Sequence, residues 1–107
     1  MTLNSIYREQ WRNGFNSGGQ RREAIARLWM SFPCLSGKPC GGPEGSWDAE
    51  AIAERMGVWS TGEQVCARFV LSVWNPRFFK FELQDMSSLS ECNRLPMVDW
   101  MLNPWWP

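Results

Sequence analysis

The chain contains no histidine. That removes the commonest general base and the commonest metal ligand. A cysteine nucleophile would lack its usual activating partner. No G-x-S-x-G, Rossmann or P-loop fingerprint is present either. The carboxylates of Glu50 and Glu54 fall one helical turn apart on a polar face, which is a solvation pattern and not an acid–base pair. These absences predict a protein that is not an enzyme, with no catalytic residues and no cofactor.

Net charge is also lacking, since 11 basic residues balance 11 acidic ones. Long apolar runs are missing too: no window approaches the roughly 18 uncharged apolar residues of a membrane helix. The N-terminus is polar and has no apolar h-region of a signal peptide. The sequence therefore predicts no membrane association and a cytoplasmic location, with Met1 through Pro107 as a complete small gene product. In that compartment the four cysteines are expected as reduced thiols. Cys34 and Cys40 form a C-x5-C pair that could close as a disulfide under oxidising conditions. Zinc would need Cys66 and Cys92 as well, and Cys66 lies on an apolar helix face where cysteine acts as a small hydrophobe. No metal site is predicted.

What is present is aromatic and apolar. Hydrophobic residues make up 44% of the 107 positions and aromatics 14%, which excludes a disordered chain and suits one domain, 1–107. Eight of the aromatics are tryptophan. They serve either a small core that buries area with large side chains or a binding surface, where tryptophan is enriched.

The most apolar stretch, 60–76, carries its own boundaries. Ser60 and Glu63 make an S-x-x-E capping box. Val65, Cys66, Phe69, Val70, Val73 and Trp74 then share one broad face of a 3.6-residue period. Asn75-Pro76 stops the helix. Ala67, Phe69, Leu71 and Val73 also alternate as in a strand, but the capping box decides for a central core helix. Downstream, Phe79, Phe81 and Leu83 alternate with polar neighbours. That predicts an extended segment over 78–84, or a hairpin with 67–74 if the strand alternative held.

The remaining elements read as amphipathic helices. Leu3, Tyr7, Trp11 and Phe15 give a first helix over 3–15, with Arg8 and Arg12 on the opposite face. Ile25, Leu28, Trp29 and Phe32 give a second over 20–32, opened by Ser17 and Gln20 and ended by Pro33. Residues 33–46 form a Gly/Pro-rich loop. Ser46 is the expected cap of a third helix carrying Ala49, Ile52, Ala53 and Met56, with Gly57 as its C′ residue. A last helix runs through Leu95, Val98 and Leu102, and either begins at Asn93 or is kinked by Pro96. The expected fold is a mainly α single domain of four to five helices.

Charge and aromatics supply the candidate binding residues. Residues 1–40 hold six basic groups against two acidic ones, +4, and residues 41–107 hold five against nine, −4. Arg8, Arg12, Arg21, Arg22 and Arg27 form the basic face. Arg21 and Arg22 follow Gly18-Gly19 at a helix start, a setting that suits a phosphate or carboxylate. Trp105 and Trp106, at the C-terminal end, either dock back onto the domain or stand as an anchor for a partner.

No family motif is present. In general style the chain resembles the short accessory proteins of phages and plasmids, many of which act by stoichiometric binding to host or defence machinery, anti-CRISPR proteins among them. That resemblance implies a small inhibitor. Taken together, these readings predict a protein-binding module whose partner is a protein or protein–nucleic acid complex. Direct nucleic-acid binding through the arginine face and a structural homo-oligomer are the alternatives.

Overall fold

The computed structural model describes residues 18–107. Four α-helices carry this part of the chain: α1 (Gly18–Met30), α2 (Ala49–Arg55), α3 (Thr61–Trp74) and α4 (Glu91–Leu102). Short 3-10 turns lie at Pro43–Gly45, Met56–Val58 and Leu83–Ser88. The fold is mainly helical, as expected for a small helical bundle, and no strand forms among the described residues. The expected helix over 3–15 lies outside them.

α3 is the central element. The Ser60 hydroxyl accepts the Glu63 N–H at 3.3 Å, and the Glu63 carboxylate accepts the Ser60 N–H at 3.0 Å, so the capping box is complete. Its backbone-to-carboxylate bond and the Ser60 hydroxyl are the main causes that hold the Glu63 carboxyl below its ordinary value; Lys38, at 3.2 Å, adds to them. Seven residues of α3 are buried, including Ala67 and Leu71 outside the expected face. A helix packed by neighbours on several sides buries more than one stripe. At its end the Asn75 N–H reaches the Leu71 carbonyl at 2.9 Å. The Asn75 side-chain oxygen accepts the N–H groups of Arg77 and Phe78 at 3.2 and 3.3 Å, which turns the chain.

α1 packs on α3 through Ala24, Ile25, Leu28 and Trp29, with Phe32 just beyond its end, all of them buried. The helix stops at Met30, before the proline expected to end it. The Ser31 hydroxyl donates to the Leu28 carbonyl at 2.6 Å, and the chain then runs through successive turns. Trp29 Nε1 donates to the Lys38 carbonyl at 3.0 Å and ties the Gly/Pro-rich loop to α1. Within that loop Gly41 has φ +98°, and a Cβ there would meet the Asp48 carbonyl oxygen at 2.5 Å. Only glycine fits.

Three local expectations are corrected. The cap of α2 is Asp48, whose carboxylate accepts the Ala51 N–H at 3.2 Å; Ser46 instead closes the preceding 3-10 turn. Gly57 is not a left-handed C′ residue, because the chain tightens directly into the Met56–Val58 turn. Ala53 is exposed, while Ala49 and Ile52 are buried. After α3, Phe79 and Phe81 pack against the core as the alternation required, and Phe81 meets Phe69 edge-on at 5.2 Å. Leu83 opens a 3-10 turn and is 66% exposed, so the period of two ends before it.

The tryptophans form a row through the core. Trp59, Trp29, Trp47 and Trp74 follow one another at centroid distances of 6.0, 5.9 and 5.7 Å. A cation closes each end: Lys38 lies 4.8 Å from the Trp59 ring and Arg21 5.2 Å from the Trp74 ring. The alternation of indole edges and faces is favourable, and the cations complement the faces left over. Most of the described tryptophans are therefore structural.

A candidate interaction groove between α1 and α4

The largest departure from expectation is the orientation of α4. The helix begins at Glu91, with Pro96 in its second turn, and not at Asn93. The Ser90 hydroxyl makes no cap and instead contacts the Cys92 thiol and the Asn93 amide. Leu95, Val98 and Leu102, the apolar residues that mark this helix in the sequence, are 58%, 42% and 73% exposed. The buried face is Asn93, Met97 and Trp100, at i, i+4 and i+7. Met97 is fully buried, and Asn93 accepts the Cys34 N–H at 3.2 Å. Trp100 meets Phe69 edge-on at 5.5 Å and donates its Nε1 to the Trp105 carbonyl at 2.9 Å. Two competing stripes run along this helix. The one carrying tryptophan buries the larger area and takes the core.

The losing stripe becomes surface. Leu95, Val98 and Leu102 line an open groove of about 880 Å³, together with Ala24, Arg27, Leu28 and Ser31 of α1 and the turn after it. Trp105, 7% exposed, lines it from the core side. Met101 and Trp106 extend the exposed apolar surface of α4, and Trp106 lies edge-on to Trp100 at 5.2 Å. Arg27 and Asp99 line the same groove without pairing with each other. Arg27 makes only a 3.8 Å contact to Glu23 between two largely exposed side chains, a pair that contributes little.

The sequence-predicted site residues are therefore divided. Arg8 and Arg12 lie outside the described residues. Arg21 is half-buried over Trp74 at the far end of α1, and Arg22 is exposed. Arg27 and Trp105 both line the groove, and Trp106 packs against Trp100. Trp105 and Trp106 part company: the first docks into the core and the second stays 51% exposed. The groove residues that the sequence reading did not single out are Leu95, Val98 and Leu102, read there only as the apolar positions of the last helix. The signal for them was the rival Asn93/Met97/Trp100 stripe, masked by its polar member.

Cys92, on the rim of the groove, is exposed. Burial pushes the Cys34, Cys40 and Cys66 thiols up, most strongly Cys66, which also hydrogen-bonds Cys34. Such thiols are inert hydrophobes at neutral pH. No group of metal ligands occurs among the described residues. What the groove can do chemically is remove apolar surface from water and orient a partner by the charges on its walls.

Set beside known proteins, the chain matches no family model, no curated protein and no solved structure.

Proposed function

We propose that this protein acts by stoichiometric, non-enzymatic binding of a partner protein, through the α1–α4 groove and the apolar surface of α4 beside it. The observation that carries this reading is the set of five large apolar side chains exposed together on α4 and the segment after it: Leu95, Val98, Met101, Leu102 and Trp106. Single exposed hydrophobics are ordinary, but Leu95, Val98 and Leu102 line one groove together, and an apolar-lined groove is how binding sites look on small domains. A half-exposed tryptophan backed by a second aromatic ring supplies the rigid anchor typical of interface hot spots. An inhibitor of the phage or plasmid accessory kind would work in this way.

The test is a photo-crosslinking amino acid placed at Val98 and, separately, at Glu54, in full-length protein added to a bacterial lysate treated with nuclease. A discrete adduct of one protein mass from Val98, absent from Glu54 and lost in Leu95→Glu/Leu102→Glu, is the expected result. Adducts of equal strength from both positions would sink the reading. Adducts only of twice the protein's own mass would replace it with self-association through α4.

A further inference from the structure

The groove's polarity points to the kind of partner it takes. Its α1 wall carries the cation of Arg27 and its α4 wall the carboxylate of Asp99. Asp99 has no ion-pair partner among the described residues, and Arg27 has only its loose contact with Glu23. Opposite charges facing one apolar channel without meeting leave each available to a ligand lying between them. Arg27 and Ser31 also line a second open groove, of about 790 Å³, with Met30, Lys38 and Pro39. Lys38 in that second groove is already held by Glu63 at 3.2 Å, so Arg27 is the cation that the α1 wall offers, and Asp99 stands on the α4 side.

Building on the proposed function, we infer that the occupant is an amphipathic α-helix of the partner, seated along the groove with acidic residues on the flank facing Arg27 and a basic residue on the flank facing Asp99. A helix suits this groove better than a strand added edge-on. The described residues contain no strand and so no sheet edge on which a partner strand could satisfy its backbone. A helix satisfies its own backbone and offers an apolar stripe to Leu28, Leu95, Val98 and Leu102, as helix-in-groove complexes do. The two charged walls allow only one orientation of the bound helix and repel the other, so polarity supplies specificity while apolar burial supplies affinity.

The experiment is selection of a displayed library of single-helix peptides on the full chain, repeated on Arg27→Glu, Asp99→Lys and Leu95→Glu/Leu102→Glu. Peptides enriched on the wild type should share an i, i+3/i+4, i+7 apolar stripe with carboxylates on one flank and a cation on the other. Arg27→Glu should weaken them by about tenfold and select peptides whose acidic flank has turned basic, and Asp99→Lys should invert the other flank. Wild-type enrichment without flank preference, or the same sequences enriched on both charge variants, overturns the inference. In that case loss of binding to Leu95→Glu/Leu102→Glu leaves the groove itself standing. If that double variant retains the peptides, or nothing enriches on the wild type, the inference and the groove reading fall together.

Discussion

Cys66 shows at the scale of one residue how burial writes itself into a measurable pH dependence. Its thiol is fully buried, and desolvation, aided by contact with Cys34, raises it well above the ordinary value of 9.0. The native state then keeps a proton that the unfolded chain releases. Its contribution is full below the ordinary thiol value and is lost as the pH rises above it. Urea unfolding followed from about pH 8 to about pH 10 should show falling stability. Cys66→Ala should flatten that fall without abolishing it, because Cys34 and Cys40 are raised as well. A midpoint independent of pH in the wild type would contradict the burial of these thiols. Trp47 makes the complementary case. It is 2% exposed, sits between Trp29 and Trp74, and has an indole N–H with no partner. Replacing it with alanine should cost about 3–5 kcal/mol by chemical denaturation. Trp106→Ala, at a half-exposed position, should leave the midpoint nearly unchanged and weaken only partner binding.

At the scale of the element, α3 and α4 differ in how much of their placement was legible in the sequence. Both ends of α3 are written in local chemistry, in Ser60 with Glu63 and in Asn75 with Pro76, and the structure uses both. Ser60→Ala should destabilise the fold by about 1 kcal/mol, read as a shift in denaturation midpoint without a change in slope. α4 has weaker local signals, and the stripe that packs inward is the one with a polar member. The choice between the two is made by Phe69 and Cys34, distant in sequence, and by Trp105 just beyond the helix, none of which periodicity sees. The same limitation explains why Asp48 and not Ser46 caps α2: both are good cap residues, and the bridge between Gly41 and Trp47 decides where the helix can begin. A direct consequence is an inverted mutational pattern along α4. Met97→Ala should cost about 2–5 kcal/mol, while Val98→Ala, one residue on, should cost well under 1 kcal/mol.

For the whole molecule, the row of tryptophans and the groove are two results of one composition. A chain of this size with eight tryptophans fills its core with indoles. Trp29, Trp47 and Trp105 are buried there, and Trp59, Trp74 and Trp100 are packed against them. Because Trp100 and Met97 take the inward face of α4, its aliphatic residues are left outside, opposite α1. The basic N-terminal half, prominent in the sequence, proves less unified than its charge count suggested. Among the described residues of that half, Arg21 is drawn over Trp74 and Arg27 alone of the arginines lines the groove. The proposed binding role therefore rests on the apolar surface, with the charges of Arg27 and Asp99 as the proposed source of direction.

The most direct measurement of this account is carbene footprinting of the full-length protein in solution, alone and with the crosslinked partner or a selected helical peptide. The account predicts heavy labelling of Leu95, Val98, Leu102 and Trp106 in the free monomer, protection of Met97 throughout, and loss of label from the first four when the ligand is added. Leu95, Val98 and Leu102 protected in the free monomer, with or without Met97 labelled, would contradict it, because the surface assigned to a partner would already be covered.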